Sequence, residues 1–196
     1  MTDTATHAAP LALARLTAET AAPDAAEMLR KTEAQMGFVP EMYRYMANDP
    51  AVLHGYLSLY NAFRTQSDFN AAEQEVVFLT ISRLNGCHYC IAAHSMIADK
   101  GAALSAENLR ALREGARLSD PRLDALAQFV AAMVAGRGNP APAALAGFQD
   151  AGFLPRHALS VILAMACKTF SNSINHLAGT ELDAAFRPWA MEGQER

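Results

Sequence analysis

The residues with the most chemistry in them lie in one stretch, Glu75-Val-Val-Phe-Leu-Thr-Ile-Ser-Arg-Leu-Asn-Gly-Cys87-His-Tyr-Cys90-Ile-Ala-Ala-His94. Cys87, Cys90 and His94 stand at i, i+3 and i+7, a spacing that places all three side chains on one face of a helix. Two sulfurs so spaced can close a disulfide with a small adjustment of the first turn. His94, one turn beyond Cys90, comes within reach of its sulfur. Asn85–Gly86 breaks the preceding helix. Both cysteines then fall in the first turn of the next, where unpaired N–H groups and the positive end of the helix dipole favour a thiolate. The thiolate is the nucleophile, so the pattern points to thiol–disulfide chemistry. If the helices flanking Asn85–Gly86 pack antiparallel, Glu75 and Ser82 can face the cysteines. A carboxylate beside His94 would orient the imidazole and carry protons.

Other readings of the same residues are sharp enough to weigh. Cys87, Cys90, His94 and Glu75 add up to four zinc ligands, the arrangement of a metal-stabilised interaction module, but structural zinc sites draw paired ligands from two knuckles and only one is present. A thioredoxin-type site needs strands around the motif, and none is visible. Tyr89 can offer its hydroxyl to a substrate oxygen or pack at the mouth of the site, the second being favoured. His88 points off the cysteine face. Cys167, in an apolar run, is expected in the core, as is His54. Asn172 and His176, one turn apart, are read as structural, and His7 and His157 carry no signal.

The elements that must position this motif are helical. Pro23 opens an amphipathic segment to Met36, which Gly37 ends; Pro40 and Asp49–Pro50 open two more. Asn70 caps a helix to about Leu84, and another runs from about Cys87 to Lys100. Ser105, Asp120–Pro121, Asn139–Pro140 and Pro155 begin the rest, and the last, about Arg156 to Ala178, is long, mostly apolar and expected at the core or an interface. No segment alternates with a period of two. The expected fold is all-α, a single-domain bundle of about eight helices over residues 21–196, preceded by a flexible segment 1–20, of which residues 1–10 are expected to be disordered.

Composition narrows the classes. Of 196 residues, 52% are hydrophobic and 18% charged, the net charge is −4 and the pI about 5.8. No run of Lys and Arg marks a nucleic-acid binder, and no apolar run reaches the ~18 residues that span a bilayer. Met1–Pro10 lacks the basic and apolar regions of a signal peptide, so the expected compartment is the cytoplasm, where a Cys-x-x-Cys pair is catalytic or metal-binding more often than structural. The surplus of apolar residues suits a homo-oligomer.

With Glu75, then Cys87-x-x-Cys90 twelve residues on, then His94, the sequence resembles the alkylhydroperoxidase D-like branch of the carboxymuconolactone decarboxylase superfamily. Gly37-Phe-Val-Pro40 with Asp49–Pro50, and the ending Asn175-His-Leu-Ala-Gly-Thr180-Glu-Leu-Asp183, agree with its peroxidase-related members, so the resemblance spans roughly residues 33–183. It implies an all-α homo-oligomer (dimer, trimer or hexamer) that reduces hydroperoxides with thiols. In that scheme Cys90 is the peroxidatic thiol, Cys87 resolves it, and Glu75 and His94 relay protons; Tyr89 and Ser82, from their positions beside the motif, are the candidate substrate contacts. No cofactor is required; an external dithiol or a lipoyl-bearing protein supplies electrons. Tyr89 departs from members with a second His just before the second Cys. General dithiol–disulfide exchange and a lactone-decarboxylase activity are the alternatives, the latter needing no cysteine pair.

Overall fold

A computed structural model of the chain describes residues 11–101 and 104–191. Among them are nine α-helices, one more than about eight, and no strand: α1 Pro23–Met36, α2 Glu41–Met46, α3 Pro50–Gln66, α4 Ala71–Leu84, α5 His88–Lys100, α6 Ala106–Glu114, α7 Pro121–Ala135, α8 Pro142–Asp150 and α9 Pro155–Ala178, followed by a 3-10 turn at Arg187–Trp189. The all-α fold expected from the sequence is the one observed.

The helix starts follow local chemistry. The Asp49 side chain accepts from the amide of Ala51, Ser105 from that of Asn108, and Asp120 from those of Arg122 and Leu123. Asn70 and Glu73 form a reciprocal capping box at the head of α4, satisfying two backbone donors that the helix leaves open. At its end Gly86, with φ 66°, makes the left-handed turn into α5, a conformation that a side chain would strain.

α4 is the axis of the fold. It packs against α5, α6, α7 and α9, and every residue from Glu73 to Ser82 is buried. A helix apolar on most sides must be enclosed, and its polar residues then need partners inside the protein. α9 packs one face against α2, α3, α4 and α5, yet leaves Leu159, Ile162 and Leu177 exposed on the other. The long apolar helix is thus core on one side and uncovered on the other.

Several expectations are revised. His54 lies on the exposed side of α3 rather than in the core. Residues 11–20 are tied down: the Leu11 amide donates to the carbonyl of Leu177 at 2.6 Å, that of Leu16 to Arg44 at 3.3 Å, and Arg15 pairs with Glu41. The expected disorder of residues 1–10 lies outside the described residues. His157 does carry a structural role, its Nδ1 accepting from the Leu154 amide at 2.8 Å at the start of α9.

Because α4 carries so many contacts, its cap is a sensitive point. Asn70→Ala should cost about 1 kcal/mol, read in urea unfolding as a lower midpoint with an unchanged slope.

Candidate active site

Cys87 is the N-cap of α5 and Cys90 its third residue. The Cys87 amide donates to the Ser82 carbonyl at 2.9 Å, so the tight turn from α4 fixes the first sulfur against the core. Both thiols are free and buried. Across from them, Asn175 of α9 directs Nδ2 at Cys90 Sγ (3.4 Å), at Cys87 Sγ (3.5 Å) and at the Met42 sulfur (3.3 Å). Asn175 Oδ1 is buried without a protein partner.

The two thiols differ. The hydrogen bond from the Cys90 thiol is the largest influence on Cys87. With the Lys168 charge, the Cys90 amide and Asn175, it outweighs desolvation and holds Cys87 at about 6. Burial, reinforced by the neighbouring Cys87, pushes Cys90 well above the ordinary thiol range. The two sulfurs are hydrogen-bonded to each other and titrate as a pair, with the lower pKa on the Cys87 side.

Glu75 and His94 meet as their positions require. Glu75 is fully buried in α4, and its Oε2 lies 2.9 Å from His94 Nδ1. Its other oxygen forms an ion pair with Arg64 Nη1 of α3, a charge contact rather than an aligned hydrogen bond. Neither ring nitrogen of His94 bonds a sulfur: Nε2 lies 3.0 Å from Nζ of Lys168 on α9. Burial, then the Lys168 charge, lowers the His94 pKa. A neutral ring fits this network in one tautomer, with Nδ1–H donating to Glu75 and Nε2 accepting from Lys168. Burial opposes charge on Glu75, but His94 and Arg64 outweigh it and hold the carboxyl below the ordinary range. Phe78 underlies the chain, with the Arg64 guanidinium 4.8 Å and the Lys168 ammonium 5.2 Å from its ring centre, distances at which the ring attracts a cation.

The remaining residues are placed as follows. Tyr89 is buried, and its hydroxyl donates to Asp183 Oδ2 at 2.5 Å, so it is engaged within the protein rather than turned toward a substrate. Ser82 is buried, and its Oγ has no partner. His88 is exposed. Asn172 is buried and accepts from Asn85 at 2.9 Å; His176 is exposed, 3.4 Å from the Gly86 carbonyl. Cys167 is buried in the core. Among the described residues, no three His, Cys, Asp or Glu side chains gather as metal ligands. Arg64, Lys168 and Asn175 were not read as site residues. Lys168, Ser171, Asn172 and Asn175 do form a polar stripe at helical spacing along an apolar helix, and all four are buried.

Residues 50–132, which carry Glu75, both cysteines and His94, match the model of the carboxymuconolactone decarboxylase family. The match covers less than half of the chain, and over that stretch the chain is similar to the family. A crystal structure described as the alkylhydroperoxidase AhpD core, an uncharacterized peroxidase-related protein from Ralstonia eutropha JMP134, is 18% identical with a TM-score of 0.80 over 91% of this chain and 96% of that one. A peroxidase-related protein from Silicibacter sp. TM1040 is 19% identical, with a TM-score of 0.76 over 98% and 100%. The debrominase Bmp8 is 18% identical, with a TM-score of 0.70 over 85% and 89%. These neighbours share the all-α fold of this chain. No curated protein matches the sequence.

The buried ion pair yields a prediction. Glu75→Ala leaves the Arg64 charge unpaired in the core and should cost about 3–5 kcal/mol in urea unfolding at neutral pH. The folded pKa of Glu75 lies below its unfolded value. Its contribution is therefore present above the unfolded glutamate pKa of about 4.3 and lost as pH falls through the lower folded value. In the variant that acid-dependent loss should disappear.

Proposed function

We propose that this chain is a member of the carboxymuconolactone decarboxylase family and a thiol-dependent peroxidase that reduces organic hydroperoxides through a Cys87/Cys90 dithiol–disulfide cycle. The observation that supports this most is a buried dithiol in which Cys87 is held at about 6, beside the line Arg64–Glu75–His94–Lys168, joined by one ion pair and two hydrogen bonds. In the cycle a thiolate attacks the terminal peroxide oxygen. An S–O bond forms, the O–O bond breaks, and the leaving alkoxide takes a proton to become the alcohol. The partner thiol then attacks the sulfenic sulfur, forming the disulfide and releasing water. An external dithiol or lipoyl-type protein reduces the disulfide by two exchanges and leaves oxidised. His94 and Glu75 hold the proton path. The cycle calls on no cofactor.

The lowered Cys87 and raised Cys90 support Cys87 as the attacking sulfur and Cys90 as the resolving one, the reverse of the order the resemblance implies. The exposed apolar side chains of α9, Leu159, Ile162 and Leu177, support assembly as a homo-oligomer. Among the described residues no helix is long and apolar enough to cross a membrane; cytoplasmic residence remains our reading of the sequence.

A soft, enclosed thiolate also suits other oxidants, so general dithiol–disulfide exchange is the second reading, with carbon–halogen reduction, suggested by the name of the debrominase neighbour, as a variant of it. A lactone-decarboxylase activity would leave the thiol pair unused.

The test measures organic hydroperoxide consumption with dihydrolipoamide. Wild type should turn over, and Cys87→Ser and Cys90→Ser should both fall to background. A single peroxide pulse on Cys90→Ser should leave a sulfenic acid on Cys87 that dimedone traps; trapping on Cys90 in Cys87→Ser instead would restore the order implied by the resemblance. Failure of wild type to consume peroxide while the disulfide still forms and reduces would favour the second reading.

A further inference from the structure

Lys168 is the least expected group in the molecule. It is 1% exposed, directly after the most apolar stretch of α9, residues 161–167, and it forms none of the ion pairs found among the described residues. An unpaired ammonium in such a place is costly unless something compensates it. Its one hydrogen-bond partner by geometry is the neutral Nε2 of His94 at 3.0 Å, which orients the ammonium without neutralising it. Counting charges in the buried chain, Arg64 and Glu75 cancel, His94 is neutral, and Lys168 leaves one positive charge over.

The groups that face Lys168 from every side are few. From α5 and its cap come Cys90, Cys87 and His94; from its own helix, Cys167. Glu75 of α4 is turned to Arg64 and His94. Tyr43 of α2 and Tyr56 of α3, near the same thiols, are buried with pKa values pushed further up, and so stay neutral. The anion that can balance Lys168 is therefore a thiolate. Asn175, two turns along the same face of α9, holds both Cys87 and Cys90 sulfurs, so one helix carries the amide that grips the pair and the cation beside it.

We propose that Lys168 is a catalytic residue: its ammonium is the counter-ion of the thiolate shared by Cys87 and Cys90, with His94, itself held by Glu75, acting as a positioning residue that aims it. The inference rests on the dithiol reading above and deepens it. It gives the Glu75–His94 pair a different task from deprotonating sulfur directly, since His94 reaches no sulfur.

The test is the pH dependence of iodoacetamide alkylation of the reduced protein, which needs no substrate and so stands apart from whether hydroperoxide is the oxidant. Wild type should show a thiol titrating near 6. Lys168→Met and Lys168→Gln, which remove the charge at similar length, should move that titration up by at least about two units. At neutral pH the thiolate fraction, and hydroperoxide turnover where it is present, should drop by about tenfold. Lys168→Arg should keep the titration within about one unit of wild type. Folding is checked by circular dichroism and thermal melting. A neutral variant that folds and titrates like wild type overturns the assignment. Neutral variants that fail to fold where the Arg variant folds and titrates low support it, because only the charge separates them. Collapse of all three would make Lys168 a packing residue and overturn it.

Discussion

A single constraint organises this molecule: charge placed inside an apolar helical bundle must be balanced there, because water cannot reach it. Arg64, Glu75, His94 and Lys168 run in one connected line through the core, and each is tolerable only because of the next. Glu75 is fully buried because Arg64 and His94 meet its two oxygens. Burial, and the Lys168 ammonium at its far nitrogen, disfavour charge on His94. The line ends at two sulfurs, the groups in the core best able to become anions on demand. The reactivity of the dithiol is in this sense the last step of an electrostatic balance that starts on α3.

The fold serves that balance by bringing four helices to one point. α3 supplies the permanent cation, α4 the carboxylate, α5 the imidazole and the thiols, and α9 the lysine and the amide. α4 and α5 are joined by three residues, Asn85, Gly86 and Cys87, so the relation of Glu75 to His94 is set by a short connection and a glycine turn. The relation of either to Lys168 or Arg64 is set only by packing. Phe78, lying under both cations, links the two kinds of constraint: a single aromatic face occupies the space between them while its π cloud offsets part of their burial cost.

That difference explains what could be read from the sequence. Glu75, Cys87, Cys90 and His94 are close enough in the chain for helix spacing and one breaker to bring them together, and they were found that way, as were the helix starts at Asp49, Asn70, Ser105 and Asp120, where a side chain caps its own backbone. Arg64 and Lys168 reach the site from distant segments, and no local periodicity links an arginine on α3 to a glutamate on α4. The stripe Lys168, Ser171, Asn172 and Asn175 was the one available signal: four polar residues at i, i+3, i+4 and i+7 on an otherwise apolar helix must meet partners inside. His54 misled in the opposite direction, because an apolar helix still has an outer face.

Tyr89 ties these strands together. The resemblance treats a tyrosine before the second cysteine as the loss of a proton-carrying histidine. In the fold its hydroxyl binds Asp183, whose carboxylate also accepts the Glu41 amide at 3.2 Å from both oxygens, and its ring meets Phe186 edge-on with centroids 5.6 Å apart. The segment after α9 is thereby fastened over the start of α5 and the head of α2, next to the cysteines. A seal of this kind keeps water from the sulfurs, which pushes a protonated Cys90 upward and would push Cys87 with it unless some charge opposed the change. The tyrosine and the lysine are then two halves of one arrangement: the first helps close the site, and the second makes a thiolate affordable once it is closed.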